Sequence, residues 1–359
     1  MDHDANTSSA DASADATADF SNAGSLLDEE KVRDPVFPFS NWYPFIAGLA
    51  SGLFLRLIFW GEPGGPWSAM AGAFIYLAPM VVGAVTVYVA ETIKRRAWAY
   101  YFTAPFVANL IFIMGTLVIM VEGLICAIVI APLFALLGSL GGLAMGAVCR
   151  ITNWPKQAVL SLAVLPIALG LGGDYLPTPD VFSSVERSVV IQAPPAQVWQ
   201  QLNNARDIQP AEFGATWAAY IGVPMPRSGV TQVKVNAQGV SERVRNSLWD
   251  KAVHFDEPIT DWQPERYMRW TYRFDATSFP PHALDDHVMI GGRYFDLHDT
   301  SFTLTPVATG TRLDIQTHYR VSTQFNFYAD AVAQLLMGDM LETGLVFYKR
   351  RSEAAQAKL

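Results

Sequence analysis

The densest group of side chains able to bind a metal lies in the segment FPPHALDDHVMIGGRYFDLHD, residues 279–299. Imidazole and carboxylate groups are common ligands of transition metals. The candidate ligands here are His282, Asp285, Asp286, His287, His298 and Asp299. Their spacing matches no metal-site motif, and no predicted helix holds two of the histidines on one face. We therefore predict no metal and interpret the segment as a solvated loop, or as a lid over the mouth of a pocket.

Catalytic side chains are equally hard to assign. The sequence has no G-x-S-x-G elbow and no glycine-rich phosphate loop. Scattered polar residues of the C-terminal half, Asn246, His254, Tyr272 and Arg293, could act inside a cavity, but no two of them form an evident acid and base pair. We predict no catalytic residue and no cofactor.

Composition divides the chain into three parts. Residues 1–40 form a polar tail, and its first 34 residues hold nine acids and two bases, which accounts for −7 of the net charge of −8. Such a segment has too little apolar surface to fold, so we expect disorder. The absence of a basic stripe argues against a nucleic-acid partner. Residues 41–175 are predicted to be a membrane region and residues 176–359 a ligand-binding domain.

Five apolar runs predict membrane spans, because about 20 residues of helix cross a bilayer core of roughly 30 Å. The runs cover residues 42–60, 68–90, 100–121, 124–148 and 157–173. Tryptophans lie at or beyond their ends, where the headgroups would be. The fifth run is short and contains Pro166.

Basic residues predict the orientation of these spans. Lys94, Arg95 and Arg96 lie between the second and third runs and Arg150 follows the fourth, whereas the loop GEPGGPW and the turn at Glu122 have no Lys or Arg. The positive-inside rule then places the tail in the cytoplasm of a bacterium. If the fifth run crosses, the C-terminal domain lies on the outer, periplasmic side of the inner membrane; if it does not, the domain stays cytoplasmic.

Small and polar residues stand out within the runs. Gly138, Gly142 and Gly146 form a stripe that permits close helix packing, either against another span of the same chain or against a second copy in a homodimer. Arg56 is expected to extend toward a nearby surface and Glu122 to lie in a turn. Together they do not indicate an ion pathway.

The C-terminal half has the patterns of an α+β domain. Alternation in SVVIQ predicts a strand, the segment after Pro194 and Pro195 predicts a helix, and a run of strand-like segments predicts an antiparallel sheet of six or seven strands. Ala308–Gly310 should form a hairpin turn. A long helix is predicted from about Gln324 to Arg351, with Leu335 on its apolar face.

Four segments of this half follow one another in a characteristic order: VVIQAPPAQVWQQLNN, ITDWQPERYMRWTYRF, SFTLTPVATGTRLDIQTHYRV and FYKRRSEA. In this order they resemble the START-like superfamily, also called the polyketide cyclase and lipid-transport or SRPBCC superfamily. The resemblance covers about residues 183–355. It implies a helix-grip fold, in which a sheet wraps around a long C-terminal helix, and a hydrophobic ligand held between them. Fold alone does not fix the chemistry.

Strand alternation indicates which side chains would line such a cavity. Ordinary core packing is the alternative for each of them. The predicted ligand-binding residues are Met268, Trp270, Tyr272, Phe274, Leu313, Ile315 and Tyr319 from the strands, and Phe325, Tyr328 and Val332 from the last helix.

Three functions remain open at this stage. The first is a membrane-anchored domain that binds or transfers a lipid or another hydrophobic small molecule. The second is an enzyme related to polyketide cyclases, which would need at least two desolvated polar side chains in the cavity. The third is a sensor that transmits ligand binding to the spans.

Overall fold

The structure is a computed structural model that describes residues 41–65, 67–152, 167–168, 178–235, 239–281, 283–285 and 289–357. The acidic tail and nearly all of the fifth apolar run lie outside these ranges, and so do three of the candidate metal ligands, His282, Asp286 and His287.

The N-terminal region is helical because its sequence is apolar over long stretches. Its helices are α1 (Tyr43–Ile58), α2 (Ala78–Ile93), α3 (Trp98–Val118) and α4 (Leu124–Ile151), and a π-helical turn, Ala73–Leu77, leads directly into α2. In the described part of the chain, three helices are long and apolar enough to cross a membrane, Ala73–Ile93, Trp98–Val118 and Leu124–Ile151. The predicted count of five spans is not confirmed. Helix α1 has 16 residues and rises about 24 Å, less than a bilayer core.

The glycine stripe of α4 packs inside the bundle. Gly138, Gly142 and Gly146 are buried, and a Cβ atom added to any of them would overlap atoms of α3. Gly83 of α2 meets the backbone of Gly138 in the same way. The stripe therefore lets α2, α3 and α4 of one chain approach closely. A homodimer contact through these glycines stays a prediction, and it would require α3 to separate from α4.

Among its described residues, the C-terminal domain combines eight strands with four α-helices and a short 3-10 helix, Asp250–Ala252. The strands are β1 (Val181–Ile191), β2 (Asn204–Ala205), β3 (Pro226–Val235), β4 (Ser241–Trp249), β5 (His254–Gln263), β6 (Tyr267–Thr271), β7 (Phe295–Val307) and β8 (Gly310–Val321). The helices are α5 (Pro195–Asn203), α6 (Pro210–Phe213), α7 (Trp217–Tyr220) and α8 (Asn326–Gln356).

These strands form one antiparallel sheet in the order β1-β8-β7-β6-β5-β4-β3-β2. The sheet has eight strands where six or seven were predicted, because the two-residue β2 adds an edge next to β3. The predicted hairpin between β7 and β8 is present, with Val307 opposite Gly310. Gly310 has φ of 142° and lies against the backbone of Ile191, so a side chain would not fit there.

Helix α8 packs on the sheet near β1 and on α5, and its C-terminal half completes the main core with buried Leu341, Leu345 and Phe347. The helix starts at Asn326, two residues later than predicted. Leu335 is 64% exposed, so its predicted place on the apolar face is wrong. Its neighbour Leu336 faces inward instead.

Candidate functional site

A hollow of about 200 Å³ lies between the sheet and α8; we call it the inner hollow. Strands β3 to β8 and the C-terminal half of α8 supply its walls. The predicted residues Trp270, Tyr272, Phe274 and Ile315 line it. Most of its other walls are apolar, which suits a hydrocarbon ligand.

An ion pair that sequence patterns did not reveal interrupts this apolar wall. Arg245 of β4 and Glu257 of β5 are direct cross-strand partners, and Arg245 Nη1 lies 3.2 Å from Glu257 Oε2. Ser247 Oγ donates to the same carboxylate oxygen at 3.0 Å, and Arg245 Nη2 donates to Tyr348 Oη at 2.7 Å. On β3, Gly229 leaves the space that the Arg245 guanidinium occupies.

Burial controls the protonation of this cluster. It raises the pKa of Glu257, and the Arg245 guanidinium and the Ser247 hydroxyl oppose that rise. Burial also raises the pKa of Tyr272, so its phenol stays protonated. Tyr272 Oη is 2.6 Å from Thr300 Oγ1, which is 2.8 Å from Thr317 Oγ1. The described lining of the inner hollow thus combines apolar walls with hydroxyl groups and an ion pair.

A second hollow of about 240 Å³ lies between the C-terminal domain and the helical bundle; we call it the helix-side hollow. Phe74, Phe112 and Ile130 line it from the bundle, and the N-terminal half of α8 lines it from the other side. The predicted residues Phe325 and Val332 contribute to it.

The two hollows are neighbours, because five apolar residues line both of them; we call these five residues the constriction. These shared residues are Val223, Leu284, Ile290, Met337 and Met340. Two come from the segment between β6 and β7 and two from α8. Methionine and leucine side chains have several rotamers, so the constriction can widen without backbone change.

Hydrogen bonds fix the C-terminal domain on the end of the bundle. Tyr328 Oη donates to the Val129 carbonyl at 2.5 Å, the Gly72 amide donates to Gln324 Oε1 at 2.6 Å, and Tyr294 Oη accepts from the Gly64 amide at 2.6 Å. Val129 and Tyr294, which take part in these bonds, also line the helix-side hollow. The bonds hold this end of the C-terminal domain against the helical bundle.

The segment 279–299 takes part in this docking. Asp285 Oδ2 accepts a hydrogen bond from the Cys126 amide at 3.0 Å. This amide belongs to the first turn of α4, where a carboxylate is favourable because the N-terminal amides of a helix lack partners within the helix. His298 packs on the ring of Phe182, and Asp299 pairs with Arg269 and His318. In the described ranges there is no cluster of three or more His, Cys, Asp or Glu side chains able to hold a metal.

Arg56 differs from its prediction. Its side chain does not extend to a surface but pairs with Glu122, with Nε 2.6 Å from Oε1 and only 7% of the side chain exposed. Both residues line the helix-side hollow.

The remaining predicted residues lie elsewhere. Met268, Leu313 and Tyr319 are buried in the core and line neither hollow, and Tyr328 lies at the domain contact. Ligand binding by the ten predicted residues stays a prediction. Of the four polar candidates for catalysis, only Tyr272 lines the inner hollow.

Residues 183–353 match the family described as polyketide cyclase / dehydrase and lipid transport. The matched residues contain almost all of the sheet and of the long last helix of the C-terminal domain. The match confirms the resemblance seen in the sequence, and the helical bundle lies outside the matched residues. No curated protein matches the chain.

Solved structures of low sequence identity are similar to about half of the chain. Protein MLL2253 from Mesorhizobium loti is 18% identical over 47% of this chain and 98% of that one, with a TM-score of 0.25. TTHA0849 from Thermus thermophilus is 18% identical over 48% and 99%, with a TM-score of 0.29. A point mutant of norcoclaurine synthase from Thalictrum flavum, in complex with a transition-state analogue, is 10% identical over 50% and 98%, with a TM-score of 0.30.

Proposed function

We propose that the protein binds a lipid or another hydrophobic small molecule in the inner hollow and exchanges it with the membrane through the helix-side hollow. The observation that carries this proposal is the constriction, because the five residues that line both hollows make them neighbours along one apolar path. A ligand on this path would pass from the apolar helices to the sheet without crossing water.

The energetics favour such a path for an apolar ligand. Each methylene kept out of water contributes about 0.8 kcal/mol, so leaving a bilayer through water is costly for a long chain. A domain fixed at the end of the spans meets its ligand where that ligand is concentrated. The apolar bundle would therefore act as both anchor and entrance.

The position of the domain on the bundle supports an outer location. The domain contacts the loop with Gly64 and the turn with Glu122, which lack Lys and Arg. Arg56 at this end is paired with Glu122, and the other described basic residues of the bundle lie at the opposite end, where Arg150 Nη2 donates to the Arg96 carbonyl at 3.0 Å. By the positive-inside rule, the domain then faces the periplasm. This is the placement that the sequence predicts if the fifth apolar run crosses the membrane.

A substitution in the constriction tests the path. Met340→Trp should overfill it and raise the barrier for a molecule passing there; a barrier higher by about 1.4 kcal/mol slows loading about tenfold. Full-length protein in lipid nanodiscs is mixed with a pyrene-labelled fatty acid, and the initial rate of loading is measured from the label that stays with the protein through gel filtration at successive times. Leu335→Trp, on the exposed face of the same helix, is the matched control. Equal loading of both variants would exclude the path.

The buried cluster of the inner hollow favours a second candidate, an enzyme of the cyclase or dehydrase type. Glu257, with its raised pKa, and the protonated Tyr272 are the two desolvated polar groups that such chemistry needs. An enzyme of this kind removes a proton from carbon next to a carbonyl. NMR should then show faster solvent exchange at the central carbon of a long-chain 1,3-diketone than in buffer alone, and Glu257→Gln should return the exchange to the buffer rate. No acceleration by the wild-type protein would reject this candidate.

A further inference from the structure

The helix-side hollow contains one ion pair in an otherwise mainly apolar lining. Arg56 comes from the last turn of α1 and Glu122 from the turn before α4, and their side chains are 7% and 16% exposed. Removing two charges from water costs several kcal/mol per ion unless their bonds compensate. A pair beside an open hollow is therefore a candidate contact for a polar ligand group.

The hydrogen bonds of Arg56 leave part of its guanidinium available. A guanidinium has five N–H donors. Arg56 Nε donates to Glu122 and Nη1 donates to the Phe59 carbonyl at 3.0 Å, and Nη2 makes no hydrogen bond to any residue that the structure describes. The guanidinium also lies 5.4 Å from the ring centroid of Trp60. Within the described ranges, this buried cation therefore has donors without a partner beside the hollow that it lines.

The surroundings of the pair match the two ends of an amphiphile. The exposed ring of Trp60 follows the same helix end, and tryptophan there indicates the level of the lipid headgroups. Apolar side chains such as Phe112, Ile113 and Phe134 line the rest of the hollow within the bundle. An acyl chain placed along them would bring its polar end to Arg56 and Glu122.

We propose that this pair binds the headgroup of a zwitterionic phospholipid with a primary ammonium group, such as phosphatidylethanolamine. The pair carries no net charge, so a ligand of no net charge and opposite polarity complements it best. The phosphate would accept from Arg56, and the ammonium would donate to the carboxylate of Glu122. This inference rests on the proposed function, because it names the lipid that enters the path.

Headgroup selection is measured on the full chain. Wild-type protein and variants are purified from nanodiscs with equal amounts of phosphatidylethanolamine, phosphatidylcholine and phosphatidylglycerol of the same acyl chains, and the retained lipids are counted by native mass spectrometry. We expect about tenfold enrichment of phosphatidylethanolamine in the wild type, as for a hydrogen bond to a charged group. Phosphatidylcholine should be discriminated against, because its quaternary ammonium cannot donate.

Glu122→Gln should reverse the preference. It removes the negative charge and leaves Arg56 as a net cation, so anionic phosphatidylglycerol should become the enriched lipid. Glu62→Gln makes the same change on an exposed residue of the neighbouring loop and should leave the preference unchanged. If Glu122→Gln does not fold, the exchange Arg56→Glu with Glu122→Arg keeps both charges and should keep the ethanolamine preference.

Two results would overturn the proposal: equal retention of the three lipids by the wild type, or the same composition in Glu122→Gln as in the wild type. Its failure is distinguishable from failure of the path. Loss of headgroup preference with normal loading through the constriction removes only the headgroup site. Retained preference with equal loading of Met340→Trp and Leu335→Trp removes only the path.

Discussion

The pair of Arg245 and Glu257 gives a prediction of stability with a defined size. Their side chains are 10% and 5% exposed, so Glu257→Gln leaves the Arg245 guanidinium buried without a counter-charge. Breaking such a pair costs about 3–5 kcal/mol. Since 1.4 kcal/mol is a factor of ten, the opening of β4 and β5 should become at least about a hundredfold more frequent.

Hydrogen–deuterium exchange on the full-length protein in detergent measures this opening at the amides of residues 241–249 and 254–263. The matched control is Glu242→Gln, the same change on β4 in a pair with Arg273 that is half exposed, which should cost less than about 1 kcal/mol. Arg245→Met combined with Glu257→Leu should recover most of the protection. Equal exchange in Glu257→Gln and Glu242→Gln would refute the reasoning.

Further predictions concern docking, pH and helix packing. Asp285→Ala removes the acceptor of the Cys126 amide and should lower the local stability by about 0.5–2 kcal/mol. Hydrogen–deuterium exchange at the start of α4 should become faster. Unchanged exchange there would show that this contact does not fix the domain. Burial opposes ionisation of Asp299, but its bonds to Arg269 and His318 prevail and lower its pKa below the ordinary 3.8. The stability that this carboxylate contributes is therefore present above pH 3.8 and is lost as the pH falls through the pKa that Asp299 has in the folded protein. Asp299→Asn should make Tm depend less on pH in this acidic range. An identical dependence in wild type and variant would contradict the pairing. Gly142→Val should lower stability by about 1–3 kcal/mol in thermal unfolding, because its side chain would meet Pro105 and Tyr101. Leu140→Val, on the exposed face of the same helix, is the control. Equal effects of the two variants would show that the glycine stripe does not pack against α3.

Much of the domain followed from local sequence patterns. Alternation of apolar residues placed Trp270, Tyr272 and Ile315 on the face that lines the inner hollow, since period-two patterning is a property of the strand itself. The hairpin at Gly310 was predictable because its turn is encoded in consecutive residues.

Contacts between distant elements did not follow from such patterns. Arg245 meets Glu257 only because of the register between β4 and β5, and no short motif marks that register. Arg56 and Glu122 are 66 residues apart, and their pairing depends on where the end of α1 meets the turn before α4. Leu335 was predicted on the same apolar face as Val332 and Leu336, but in the docked half of α8 Val332 and Leu336 line the helix-side hollow whereas Leu335 is exposed.

The interpretation of residues 279–299 as a lid over a pocket did not include their contact with the helical bundle. Leu284 and Ile290 lie between the hollows, and Asp285 binds the first turn of α4. The sequence showed a polar loop near a cavity. The contact between the loop and the helical bundle is a tertiary contact. It depends on how the C-terminal domain docks on the bundle, which the local sequence of the loop does not reveal.

Photo-crosslinking tests the central claim, a continuous apolar path between the helices and the sheet, most directly. The full-length protein in nanodiscs is irradiated with a phospholipid that carries a diazirine near the end of one acyl chain, and the labelled residues are identified by mass spectrometry. The path predicts labelling of Phe74 or Phe112 in the helix-side hollow, of Met340 at the constriction and of Trp270 in the inner hollow. Labelling confined to bilayer-facing residues such as Leu136 and Leu140, with none at the constriction or the inner hollow, would contradict it.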